Sequence, residues 1–218
     1  MGTKRMISCR AVLIGLTIGM FCGDLLADAA TSKASPTAQS KAEDADKESR
    51  AKAKAKKIAG LVVPLIGKCT AEALESIFSK YVDKSGLAKA LCGSKSESPE
   101  LNAAVIKYLR RILNSEAVKK AAGYALADAM RITVNESVAI VSGQLVKAGQ
   151  DPVPIRLILD NEGLLARELE VVGVPLIGSI RGVMIRYCES NGIDIRKKNE
   201  QGRIELAVDA IEKHLSAK

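Results

Sequence analysis

Tryptophan is absent from this chain, histidine occurs once, and phenylalanine and tyrosine together number only six in 218 residues. Each shortage removes a class of function. Without aromatic platforms, stacking on sugars or on single-stranded nucleic acid has little to work with. With His214 as the sole imidazole, His-rich zinc sites and the H-E-x-x-H arrangement are excluded. No pair of cysteines has C-x-x-C spacing, which removes zinc knuckles and thioredoxin-type redox sites. The nucleophile elbow G-x-S-x-G, the phosphate-binding P-loop and the dinucleotide-binding glycine pattern are missing too.

What the chain has is aliphatic. Residues of the apolar set make up 47%, so a core must be built from Ala, Leu, Ile and Val. At the N-terminus, Lys4, Arg5 and Arg10 precede an apolar run from Ala11 to Gly23, and Ala27-Asp28-Ala29 supplies small residues before Ala30. This is the layout of a cleavable signal peptide over residues 1–29, and the run is too short for a comfortable membrane span. Export to the periplasm or the extracellular space is the expected localisation. Phe21 directly before Cys22 fits a lipoprotein signal poorly. Asn135-Glu136-Ser137 matches a glycosylation acceptor, but its place inside an expected helix makes that a chance match.

The formal net charge is +8, and its distribution is uneven. Residues 30–57 carry eight basic and four acidic side chains and no large apolar one. They read as a disordered Ala/Lys/Ser-rich tether. Lys52, Lys54, Lys56 and Lys57 at its end are the candidate contact to anionic lipid headgroups. From Ile58 the apolar content jumps, which places a helical domain at 58–218.

Within that domain, Leu74, Ile77, Phe78, Tyr81 and Val82 recur at helical spacing, and Ser98-Pro99-Glu100 is a helix start. Ser115 opens a further expected helix with a small-residue stripe through Ala121, Ala125 and Ala129. Val134, Val138, Val141 and Leu145 continue at 4-3-4 spacing. Ile155, Leu157 and Leu159 alternate as a strand would, but no partner strand is evident, so helix is preferred there. Ile204, Ala207, Val208, Ile211 and Leu215 form the face of a last helix. The expected fold is all-α, a bundle of about seven or eight helices.

The stretch Val171–Glu189 is apolar around well over half of a helical circumference. It reads as the central helix, with Gly178 and Gly182 at its tightest crossing and Arg181 either snorkelling outward or meeting a carboxylate. Val63-Pro64-Leu65-Ile66-Gly67 recurs as Val174-Pro175-Leu176-Ile177-Gly178, which reads as local reuse of a proline-started apolar helix rather than duplication. Removing the signal leaves Cys69, Cys92 and Cys188. The first two flank one expected helix and form the candidate disulfide, and Cys188 reads as a buried hydrophobe.

No catalytic, cofactor-binding or metal-binding residue is assigned, and no cofactor is expected. His214 sits near a helix end, and the pairs Glu72 with Glu75, Glu168 with Glu170, and Asp209 with Glu212 read as solvating charges. The expected function is that of an exported, non-enzymatic protein that binds another protein; nucleic acid is not an expected partner. One alternative is a membrane-peripheral protein that uses the basic tether and the apolar 58–67 segment on an anionic surface. The other is a cell-envelope hydrolase with two converging acids.

Overall fold

The structure, a computed structural model, describes residues 38–94 and 96–217, with side chains from residue 43 onward. The expected signal peptide, 1–29, and the first part of the expected tether lie outside the described residues. The next segment corrects the sequence reading. Ala38–Val62 is one helix, α1, rich in Ala and Lys, which are strong helix formers. Its Ala51, Ala55, Ile58, Ala59 and Val62 are buried along one stripe, so the 43–57 stretch is not a disordered tether. A boundary at Ile58 would cut through the packed part of that helix. α1 ends in a 3-10 turn, Val63–Leu65, because Pro64 cannot continue an α-helical ladder.

Three helices follow, and the first and third are the expected ones. α2, Ala71–Tyr81, starts at Thr70, whose hydroxyl accepts from the Ala73 amide. α3, Lys84–Cys92, is capped by Asp83 at one end and stops at Gly93, whose φ of +63° is the left-handed cap glycine supplies cheaply. α4, Pro99–Leu113, begins at Ser98 as expected, the hydroxyl accepting from Leu101 at 3.1 Å.

Beyond this point the all-α expectation fails. Ser115 makes no side-chain cap, and α5, Glu116–Lys119, is a single turn. Residues 125–175 then form a six-stranded antiparallel sheet: β1, Ala125–Leu126; β2, Arg131–Val134; β3, Val138–Val146; β4, Val153–Asp160; β5, Ala166–Val171; and β6, Val174–Pro175. The order is β1-β3-β4-β5-β6, with β2 sharing β3. Asn135 makes the β2–β3 turn by accepting from the amides of Ser137 and Val138 with its side-chain oxygen. Val172 and Gly173, both at positive φ, make a two-residue turn between β5 and β6.

The sheet is buried on one face. Ile132, Val141, Leu157 and Leu169 form one cross-strand row, and Val134, Ala139, Leu159 and Ala166 the next. Arg131, Ser142, Arg156 and Glu170 form a row of opposite parity and leave their face polar. α1 lies against β1, β2 and β3, while α6, Leu176–Ser190, packs on β5 and on α4. α7, Glu200–Ser216, closes the layer against α4, α6 and α3 after a 3-10 turn at Ile195–Lys197. The result is a mixed α/β fold with helices on one face of an antiparallel sheet.

The Val171–Glu189 stretch is therefore not one helix. It spans the end of β5, a hairpin turn, β6 and most of α6. α6 buries Leu176, Ile180, Val183, Met184 and Cys188 and leaves Ile185 49% exposed, so it is covered from one side rather than all round. Gly178 and Gly182 do not mark a helix crossing. A β-carbon on Gly178 would meet the Glu168 carboxylate and Pro175, and one on Gly182 would meet Arg186. Arg181 is exposed and, among the described residues, makes no ion pair. The repeated five-residue string adopts two different conformations, a 3-10 turn in one copy and a strand end running into α6 in the other. The candidate disulfide is not formed, because Cys69, Cys92 and Cys188 are all buried free thiols.

Candidate functional site

Where α1, α2 and α4 meet β5 and the first turn of α6, the core leaves an apolar cleft of about 50 Å³. Its deep end is walled by Ile58, Val62, Leu74, Phe78, Leu109 and Leu113, all buried. Its outer end is walled by Tyr81, Val82, Arg167 and Ile177, which keep some exposure. A space of this size exceeds what one water needs, but the deep wall offers water nothing to bond, so it favours apolar atoms.

The mouth is closed by few bonds. The backbone around Val82 and Ala166 makes an isolated parallel bridge, and the Asp83 amide donates to the Ala166 carbonyl at 3.0 Å. The Arg167 guanidinium donates to the Asp83 carboxylate at 3.0 Å, tying β5 to the start of α3. A register shift at Ile158/Leu159 inserts Arg167 as an extra residue and turns it to this position.

Glu168 is the carboxylate in the wall. It accepts from the amides of Leu169 at 3.0 Å, Ile177 at 2.8 Å and Gly178 at 2.7 Å, and so holds the N-terminus of α6 against β5. Burial pushes its pKa above the ordinary carboxylate value, outweighing the amides, which pull it down. A β-carbon at Gly178 would lie 3.3 Å from that carboxylate and from the Pro175 ring, so a side chain there would press on both.

The four lysines named from the sequence are brought to two sides of α1. Lys56 pairs with Asp128 at 2.7 Å and, with a smaller pull from Lys52, holds the Asp128 carboxyl below its ordinary range. Lys54 and Lys57 point the other way, their ammonium nitrogens 5.2 and 5.7 Å from the centroid of the Tyr81 ring. One pair thus faces the sheet edge and the other the mouth of the cleft.

The remaining sequence candidates serve structure. Cys69 donates from its backbone to Asn114, and burial raises its thiol pKa. Cys92 lies under Arg203, which donates to the carbonyls of Cys92, Gly93 and Lys198 and fastens the end of α3. Burial pushes the Cys92 thiol up to about 11 in spite of that cation. His214 packs against the Tyr108 ring with centroids 5.7 Å apart, while Arg111 donates to the His214 and Leu215 carbonyls. Of the carboxylate pairs, Glu212 binds Lys107 at 2.6 Å, and Glu72 and Glu75 are exposed. Among the described residues no group of three or more His, Cys, Asp or Glu side chains could hold a metal ion, and no helix is long and apolar enough to cross a membrane.

A larger groove of about 1050 Å³ lies between α3, α6 and α7, with Ile185, Met184 and Leu91 among its apolar lining and Lys89, Arg181, Glu189 and Asp194 among its polar lining. It is open and mixed in character, whereas the cleft beside Phe78 is apolar and recessed. The groups at the cleft's mouth were the ones least visible in the sequence. Tyr81 read as a core position and Glu168 as a solvating charge, and only the strand assignment would have placed Glu168 opposite a helix start.

No protein-family model matches this chain, and no curated protein matches it. Among solved structures, it is similar to a phospholipid-binding protein from Ralstonia solanacearum in complex with a phospholipid. The identity is 13%, the match covers 76% of this chain and 99% of that one, and the TM-score is 0.48.

Proposed function

We propose that this protein is a non-enzymatic, exported binding module whose ligand places an apolar chain in the cleft between α1, α2, α4 and β5. The observation that carries the reading is the cleft itself: a deep end walled only by aliphatic and aromatic carbon, with the backbone bridge of Val82 to Ala166 and the Arg167–Asp83 ion pair beside its mouth. Core voids of this kind are costly to keep, and a chain that fills one recovers that cost. An apolar chain is thus the first ligand, ahead of the protein partner expected from the sequence.

Shallow insertion of residues 58–67 into a membrane has less in its favour. Ile58, Ala59, Val62, Val63 and Ile66 are committed to the core, which leaves Leu61, at 41% exposure, as the one large apolar side chain turned well outward. Of the three acid pairs named from the sequence, the cleft is lined by Glu168 alone, and Glu168 is occupied by three amides.

The test is a titration of delipidated protein with a series of amphiphiles that share a head and differ in chain length. Each buried methylene contributes about 0.8 kcal/mol, so Kd should tighten about fourfold per methylene until the cleft is filled. Ala166→Leu, which adds bulk to the wall, should bring that plateau to shorter chains. Affinity indifferent to chain length, in wild type and variant alike, would end the proposal.

A further inference from the structure

We propose that the mouth of the cleft is an anion subsite formed by Lys54, Lys57 and Tyr81, and that it selects amphiphiles whose head carries a carboxylate or a phosphate. The inference rests on the chain-binding reading above and adds the class of head group to it.

Lys54 and Lys57 are three apart on α1, so their side chains leave the same face of the helix. Both ammonium groups converge on one aromatic ring, at 5.2 and 5.7 Å from its centroid, and that ring is also a wall of the cleft. Two like charges gathered on one ring repel each other, and the ring's negative face offsets only part of this. Three neighbouring charges are matched. Lys56 has Asp128, Arg167 has Asp83, and Glu168 has the amides of α6. Among the described residues, Lys54 and Lys57 make no ion pair. They are an uncompensated cationic pair placed where the head of a molecule would sit once its tail entered the cleft.

The ordinary alternative is a pair of solvated lysines resting on a tyrosine, and it predicts no preference among heads. The two are separated by calorimetric titration of the full chain at low salt. The ligands are dodecanoate, dodecyl phosphate and the neutral monoglyceride of the same chain, each below its micelle concentration. Acetate and inorganic phosphate serve as heads without tails. The expected result is that one or both anionic ligands bind about tenfold tighter than the monoglyceride, while K54Q/K57Q reduces that ratio to near one and leaves the monoglyceride unchanged. K52Q/K56Q, on the opposite side of α1, should leave the ratio intact, and matched urea midpoints show that the variants fold. A preference for dodecanoate or for dodecyl phosphate says which anion the rim fits better. Equal binding of charged and neutral ligands by the wild type, or a preference that survives K54Q/K57Q, overturns the subsite and leaves the cleft standing. No binding by any chain-bearing ligand overturns both.

Discussion

Glu168 shows how one side chain joins two elements at an electrostatic cost. Its three amide bonds anchor α6 to β5, yet burial still raises its pKa. A carboxyl whose native pKa lies above its unfolded value binds protons more readily when folded, so its contribution to stability is full at low pH and is lost as pH rises through the native value. Wild type should therefore lose stability relative to Glu168→Gln as pH climbs from about 4 toward 7, read as urea midpoints at matched pH. A difference that widens in favour of wild type would mean that the amides dominate. The thiols offer a second check. With Cys9 and Cys22 replaced by serine, burial of Cys69, Cys92 and Cys188 predicts that a thiol reagent reacts slowly with the native protein and quickly in denaturant. Rapid reaction of the folded protein would contradict that burial.

At the level of elements, α1 carries the sharpest prediction. A truncation that begins at Ile58, where apolar content jumps, removes Ala51 and Ala55 from the sheet and the Lys56–Asp128 pair with them. It should lower thermal stability by several degrees, whereas a truncation that begins at Ala45 should cost little. The reason the sequence hid this is physical. A search for large apolar side chains overlooks alanine, yet an alanine stripe lets a helix backbone approach a sheet closely and buries surface through proximity. α2, α4 and α7 were legible because their aliphatic positions recur at 3.6 and their caps are conventional. The strands were not, because each misreading supported the next. Val141 and Leu145 lie four apart, a spacing that strand and helix both place on one face. Once β3 is taken as helix, the alternation of Ile155, Leu157 and Leu159 in β4 has no partner, although Val141 and Ala139 are those partners. The β-branched content of Ile132-Thr133-Val134 and Val138–Val141 was the signal to weigh. So too was Asn135, whose turn-forming role fits a hairpin better than a helix interior.

For the whole molecule, the aromatic and histidine shortages set an expectation about chemistry, but they did not point to a cleft. A cavity is a property of how elements meet, and its walls (α1, α2, α4, β5 and α6) come from every third of the described chain. The cationic rim was half legible: the lysine cluster was plain, while its division across α1 required the helix to be recognised. That helix has one more consequence. α1 runs for 25 residues, yet side chains 43–50 are exposed and packing begins at Ala51. An isolated helical stretch this short is marginal in water. Backbone amides should therefore exchange with deuterium along a gradient, fastest toward Ala38 and slowest near Val62, with a step at Ala51. Binding a ligand beside Ile58 and Val62 should slow exchange on the packed side of that step and leave the other side unchanged.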